Sequence, residues 1–537
     1  MKVKLILPAL TEAVSPFFRP IKYSLFPPLG LATLAGYLRP DDEAVLQDEH
    51  VEHLHLDDAP DLVAIQVYIT SARRAYALAD HYRRRGAHVA LGGLHVTSLP
   101  EEAAAHADTI FLGPGEDTWP QFLEDFRAGR PQKLYRSRVR TLAELPPIRR
   151  DLIKRTHYLV PNSIVVSRGC PHSCSFCYKE AFFAGGRGFY TQRVDQALAE
   201  IDRLPGRHLY FLDDHLFGDV RFATALFEGM RGQGRLWQAA GTVASVLRPK
   251  LLETAVACGL RSLFVGFETL DAANLRAQAK PHNLRRDYGE AIRRLHGLGV
   301  MVNGSFVFGM DEDDETVFDR TVEWAVGQGI ETATFHVLTP YPGTETFRQM
   351  EAEGRILHRD WDLYDTRHVV FRPARLRAEA LEAGYGRAYR DFYRWRNILR
   401  GASTKPTWVG AARHAAYSAG WKKFEPLGDW LIRARRVGRA RPILESVLEG
   451  FLRERRARTR SDQGAEDLAR HEDAVVGQAK DAAFQGQEAR VESVGQGRPE
   501  LLDGVCAVPP PEIVSIDPAR APQAGEKRLR PALRVAE

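Results

Sequence analysis

With 537 residues, the chain is long enough for two or three domains with their own cores, and its 44% hydrophobic and 27% charged content is ordinary for a soluble globular protein. A net charge of +5 is small for this length and does not by itself indicate nucleic acid. No run of 18 or more apolar residues occurs, which excludes a spanning helix. The short apolar run after Met1 lacks the parts of a full signal peptide. The five cysteines show no regular pairing pattern, which argues for a reducing compartment, so a cytoplasmic location is expected.

Residues 1–130 alternate strand-like and helix-like patterns. Val3-Lys4-Leu5-Ile6-Leu7, Ala44-Val45-Leu46-Gln47 and Leu62 to Val67 read as strands, with a short apolar helix from Pro28 to Leu38 between the first two. A helix from Ala72 to Arg85 precedes the strand Ala87-His88-Val89-Ala90-Leu91, which ends at Gly92-Gly93. The strand Thr109-Ile110-Phe111-Leu112 ends at Gly113-Pro114-Gly115-Glu116. This alternation predicts a doubly wound, Rossmann-like parallel sheet. Glycines at successive strand ends let the backbone approach a ligand in the crevice beyond them. Residues 131–160, basic and marked by Pro146-Pro147 and Arg149-Arg150, read as a linker. Its arginines form a solvated face or a phosphate contact.

Next comes Ser167-Arg168-Gly169-Cys170-Pro171-His172-Ser173-Cys174-Ser175-Phe176-Cys177-Tyr178, after the β-branched run Ser163-Ile164-Val165-Val166. Cys170, Cys174 and Cys177 on one loop suit three corners of an iron–sulfur cluster, leaving one iron open. The other readings are a disulfide or a zinc site, but zinc wants four ligands in paired clusters and only His172 stands near. The C-x3-C-x-aromatic-C spacing, with Phe176 as the aromatic residue, resembles the signature of the radical S-adenosylmethionine (SAM) enzymes. The resemblance implies a 4Fe–4S cluster whose open iron is chelated by SAM, and cleavage of SAM to a 5′-deoxyadenosyl radical.

Six strand-then-helix units follow across residues 161–345: the run before the cysteines, Arg207 to Leu212, Trp237 to Val243, Ser262 to Thr269, Val300 to Val307 and Thr332 to Leu338. They fit a partial (β/α)6 TIM-like barrel, whose chemistry belongs at the C-terminal strand ends. The resemblance places Asp213 and Asp214 at the SAM ammonium, Glu268 and Thr269 near ribose and methionine, and Asn303 on the fifth strand at adenine. Each acid is alternatively an N-cap or an ion-pair partner. Arg168 and Tyr178 flank the cluster, with packing and substrate contact both open. The first domain then resembles that of cobalamin-dependent radical SAM enzymes, through Pro27-Pro28-Leu29-Gly30-Leu31, Gly92-Gly93-Leu94-His95 and Gly113-Pro114-Gly115-Glu116. This implies bound cobalamin, with Gly92, Gly93, Gly113 and Gly115 at the cofactor. Asp48-Glu49-His50 keeps part of the D-x-H-x-x-G cobalt-ligand motif, but His53 replaces its glycine and the position follows the second strand.

Residues 346–455 read as helical, with Leu376, Leu381, Tyr385, Ala388, Tyr389, Phe392 and Trp395 near helical spacing as core, or as a lid over an apolar substrate. The basic amphipathic stretch from Trp421 to Arg436 is a solvated face or a peripheral membrane contact. Residues 456–537, with Cys506, are expected to be disordered.

The expected function is radical SAM chemistry, with cobalamin-dependent methylation of an unactivated carbon on a secondary metabolite or lipid-like small molecule. The alternatives are radical cyclisation, rearrangement or oxidation without methyl transfer, and a non-catalytic iron–sulfur redox protein. An electron donor such as flavodoxin or ferredoxin is implied, and no nucleic acid partner. No catalytic residue beyond the cofactor ligands is identified.

Overall fold

The computed structural model describes residues 1–13, 21–423, 430–431 and 434–449, all within one compact unit, Met1–Gln463. The tail expected to be disordered, Cys506 and part of the basic stretch after Trp421 lie outside the described residues.

The first sheet is built from β1 (Lys2–Leu7), β2 (Glu43–Asp48), β3 (Leu62–Gln66), β4 (His88–Gly92), β5 (Thr109–Leu112) and β6 (Leu134–Arg136). All are parallel, in the order β2-β1-β3-β4-β5-β6. The sixth strand comes from the stretch read as a linker: Tyr135 buries its ring against Phe111, supplying the apolar contact that three residues alone would lack. One face is covered by Leu31, Ala32 and Ala35 of the helix Leu29–Ala35 and by Trp119 and Phe122 of Thr118–Arg127. The other face is covered by Ala75, Leu78, Ala79 and Tyr82 of Ala72–Arg84. The sheet is therefore doubly wound. Strand order reverses between β1 and β3, so a crevice opens outside their C-terminal ends, where ligands of such sheets bind.

The second sheet takes β7 (Ser163–Ile164), β10 (His208–Phe211), β11 (Leu236–Gly241), β12 (Leu260–Glu268), β13 (Met301–Phe308) and β14 (Thr332–Val337). Its order, β14-β13-β12-β11-β10-β7, is that of an open six-stranded barrel. Trp237, Phe211 and Phe227 pack together in its core, and Phe267, Phe306 and Phe335 form a second aromatic layer. Two expectations need correction. The run before the cysteines is a strand for only two residues, because Asp213 takes over the Val166 and Ser167 amides as acceptor. The loop is launched instead by a small antiparallel ladder, β8 (Ser167–Gly169) with β9 (Phe189–Thr191). Val243 does not extend β11. It starts a short helix, Val243–Val246, capped by Thr242.

The third region is helical: Ala378–Phe392, Trp395–Ser403 and Trp408–Lys422. Most of the aromatic stripe is core. Tyr389 pairs its hydroxyl with the N–H and C=O of Phe335, and Tyr393 does the same for Ala333. The exposed edge of β14 is thereby closed by phenols, answering the usual hazard of unpaired edge groups. Trp395 departs from the stripe and stands exposed. Among the described residues no helix is long and apolar enough to cross a membrane.

Candidate active site between two strand-end faces

The cysteine loop runs from the tip of β8. Gly169 there has φ +78°, and a Cβ on it would lie 1.9 Å from the Gly188 carbonyl oxygen, so only glycine lets β8 meet β9 at this point. Cys170 N–H donates to that same carbonyl, and Cys177 N–H donates to Cys174 O. Ser175 is tied twice to Gln278, and Phe176 packs half-buried on the barrel core. Cys174 is buried, and burial pushes its thiol up to about 12, with the neighbouring Cys177 and Cys170 adding to the rise. Burial raises Cys170 as well. Cys170 and Cys174 therefore hold their protons at neutral pH, and metal must displace them to bind. Among the described residues no three His, Cys, Asp or Glu side chains converge as one metal ion demands. Three cysteines on one loop suit one thiolate per iron of a cluster, whereas structural zinc usually takes four ligands.

Asp214 and Glu268 lie on either side of this loop, each with a lysine. Lys179 reaches Asp214 at 3.1 Å and Lys280 reaches Glu268 at 2.6 Å. Glu268 sits at a register shift of β12 with φ +63°, a left-handed conformation that turns its carboxylate toward Lys280. Thr269 is buried and accepts from the Asp271 amide, fixing the turn that follows.

Asp213 is differently placed. Its Oδ1 accepts from the Val166 and Ser167 amides and the Ser167 hydroxyl, and burial pushes its carboxyl up to about 7. It pins the strand end, while Asp214 is the acid beside the cysteines. Asn303 is a further correction. It lies third in β13, near the N-terminal end, donating to Ser262 Oγ at 2.8 Å and accepting from the Thr332 hydroxyl. Both ends of its amide join neighbouring strands, far down the sheet from the loops.

Sequence reasoning missed Lys179, Lys280 and Gln278, and it placed His172 near the cysteines without the two imidazoles that join it, His215 and His282. His172 stacks on His282 with ring centroids 3.7 Å apart, and His215 lies 5.6 Å from His172. Burial, with nearby cations, pushes His215 and His282 down to about 3 and lowers His172 too, so all three are neutral beside the loop. The only available signal was Asp213-Asp214-His215, where His215 adjoins the acids.

The four predicted glycines of the first domain do converge. Gly92, Gly93, Gly113 and Gly115 line one crevice with Gly30, Gln66, Phe111 and Trp119, about 810 Å³ of space open to solvent. Gly93 has φ +118°, and a Cβ there would lie 2.7 Å from Val67 O. His50 is not part of this lining. It lies between the Leu10 amide, which donates to Nε2, and Asp48, which accepts from Nδ1 at 2.7 Å. Both nitrogens are engaged, so the D-x-H remnant is structural.

Arg168, one residue before Gly169, also lines the crevice and donates to Glu116 at its lip, 2.8 Å away. Burial alone would lower the Arg168 guanidinium, but Glu116 overrules it and raises it above its ordinary value. Beside this strut a second cavity lies between the domains. Tyr68, Leu94 and His95 line it from the first sheet, and Tyr178, Tyr341, Tyr364 and Asp365 line it from the barrel side. Tyr178 follows Cys177 directly, and the Gln66 amide donates to the Tyr68 hydroxyl at 3.0 Å, linking crevice and cavity.

Comparison with known proteins agrees with this geometry. Residues 23–123 match the family model of the B12 binding domain, and residues 164–341 match that of the radical SAM superfamily. The chain is 30% identical over 363 residues to bacteriochlorophyllide d C-12(1)-methyltransferase of Chlorobaculum tepidum, covering 65% of this chain and 78% of that one. The chain belongs to the radical SAM enzymes that carry a cobalamin-binding domain. It is also 25% identical to the anaerobic magnesium-protoporphyrin IX monomethyl ester cyclase of Rubrivivax gelatinosus, over 71% of this chain and 76% of that one. Its fold matches the structure of the cobalamin-dependent SAM radical enzyme OxsB with aqua-cobalamin and SAM bound, with a TM-score of 0.58 at 13% identity, covering 86% and 80% of the two chains.

In this radical SAM enzyme the residues present fit the family's cofactors. Cys170, Cys174 and Cys177 would hold the 4Fe–4S cluster. Asp214 and Glu268, paired with Lys179 and Lys280, would offer carboxylates for the SAM amine and ribose. The glycine-lined crevice would hold cobalamin, its backbone walls free of side chains at Gly92, Gly93, Gly113 and Gly115.

Proposed function

We propose that this enzyme methylates an unactivated carbon of an apolar, ring-rich small molecule, bound in the tyrosine-lined cavity between crevice and cysteine loop. The observation that carries this reading is the position of that cavity: one wall adjoins Cys177 through Tyr178, and another adjoins the crevice through Gln66 and Tyr68. The bound cofactors supply a carbon-centred radical for hydrogen abstraction and a methyl donor. The chain's own residues bind, orient and exclude water. Burial holds the Tyr68 and Tyr178 phenols protonated, so they meet substrate as neutral donors and flat apolar faces. Asp214 and Glu268 hold cationic groups at the loop, and Asp213 keeps the loop's first residues in place. That one relative is named for acting on a bacteriochlorophyllide supports a tetrapyrrole-like substrate. The reducing electron comes from a flavodoxin- or ferredoxin-type donor.

The likeness to the cyclase favours a second reading, radical oxidation or ring closure in the same cavity without methyl transfer. Anaerobic incubation of the reconstituted enzyme with SAM, reductant and a chlorophyllide or magnesium-porphyrin probe separates the two. Methylation replaces one hydrogen of the probe by a methyl group, giving a product heavier by CH2, with 5′-deoxyadenosine and S-adenosylhomocysteine released together. Turnover of the probe with 5′-deoxyadenosine but no S-adenosylhomocysteine would overturn methylation in favour of the second reading.

A further inference from the structure

The helices Trp395–Ser403 and Trp408–Lys422 form a hairpin that buries one face and leaves the other bare. Inward, Ile398, Gly401 and Ala402 of the first helix and Gly410, His414 and Ser418 of the second are buried. A Cβ on Gly401 would lie 2.7 Å from His414 Nε2, so the two helices touch closely. Outward, Trp395 is 54% exposed, Leu399 59% and Trp408 82%. The exposed positions Ala412, Ala416 and Gly420 continue that stripe on the second helix. Lys423, 5.9 Å from the centre of the Trp395 ring, joins the two stripes into one surface. Large apolar side chains on a protein surface are normally scattered singly. Here three share one hairpin, and none belongs to the cofactor sites.

Charge decides what covers it. From residue 392 to residue 424 the chain has seven Lys and Arg residues and no Asp or Glu. Lys405 turns inward to the buried Glu331 and Arg400 pairs with Glu323 at the surface, while Arg396 and Lys423 are exposed beside the apolar stripe. A second copy of this chain would set like charges against each other. An anionic bilayer matches both features, because tryptophan settles at headgroup depth and nearby cations meet lipid phosphates. We propose that this hairpin face is a peripheral docking surface for a membrane containing anionic lipid, lying in its interface without spanning it.

Flotation of the full-length protein with vesicles tests this. Partition onto phosphatidylcholine vesicles containing phosphatidylglycerol should exceed that onto pure phosphatidylcholine by about tenfold or more and should fall with added salt. Trp395→Ser combined with Trp408→Ser should lower it by about tenfold or more, with circular dichroism and iron content unchanged. Equal partition onto both vesicles, binding to neither, or full binding by the double variant would each overturn the proposal. So would a concentration-dependent dimer that the double variant disperses, which would assign the face to a second copy. Cross-links from Trp408→Cys into residues 450–537 of the same molecule would assign it to the chain's own C-terminal segment, with the same consequence.

Discussion

At the scale of single residues, two ion pairs carry separable predictions. Arg168 is shared between the crevice and the β8 strand that launches the cysteine loop. Arg168→Gln leaves the Glu116 carboxylate without its cation, a loss of about 1–3 kcal/mol for a charged hydrogen bond. The variant should unfold at lower urea concentration and lose reconstituted iron faster than the wild type, whereas Arg168→Lys should retain part of both. Equal iron retention in all three proteins would show that the strut has no role in holding the loop. The second pair lies at the opposite end of the barrel. Glu331 is fully buried, and burial would raise its carboxyl, but Lys405 and His296 hold it well below the usual carboxylate range. A depressed folded pKa means that its stabilisation is complete above the unfolded value, about 4.3, and is lost as pH falls through the folded value below that. Glu331→Gln should cost about 3–5 kcal/mol at pH 7, and the difference from wild type, measured by urea unfolding, should shrink only in strong acid. A difference that is constant down to pH 2 would contradict the charge assignment. Residue positions were legible where chemistry dictates spacing: the three cysteines share one loop and the four glycines share one crevice. Roles were illegible where a side chain's target is set by tertiary structure: Asp213 and Asp214 are adjacent, yet one secures a strand end and the other meets Lys179.

At the scale of elements, apolar periodicity located nearly every strand and helix because both sheets are parallel and covered on both faces, so their strands read as continuous apolar runs. It failed on β6 and β8, each three residues long, since short strands are defined by their partners more than by their own pattern. Asn303 misled for a related reason. Its place on the fifth barrel strand was correct, but its depth along that strand depends on register, which spacing does not reveal. The edge strand β14 supplies an element-level test. Tyr389→Phe and Tyr393→Phe each remove a phenol that serves both a buried N–H and a C=O, costing about 1–3 kcal/mol apiece. Hydrogen exchange should quicken at the Phe335 amide in the first variant and at Ala333 in the second, while the cysteine loop keeps its protection. Unchanged exchange at both amides would mean that β14 needs no such closure.

At the scale of the whole molecule, two parallel sheets present their C-terminal ends to a common space, and the linking arginine, the tyrosines and the cysteines all belong to that space. The sequence carried this arrangement only through resemblance, because no local pattern states how two domains face each other. Arg168 and Glu116 join the crevice to the strand that launches the cysteine loop, whereas Gly93 meets only Val67 within the first domain, so a change at Gly93 should act on cobalamin retention alone. Gly93→Val, which drives a branched side chain into Val67, should abolish cobalamin retention on gel filtration and leave iron content unchanged; simultaneous loss of iron would contradict the independence of the two sites. The most direct test of the central claim is 5′-deoxyadenosine release from SAM by anaerobically reconstituted protein under reduction, measured together with bound iron. The three-thiol loop predicts about four irons per chain and steady 5′-deoxyadenosine release, with release abolished in Cys174→Ala. An iron-free or zinc-bearing protein, or undiminished release from Cys174→Ala, would contradict it.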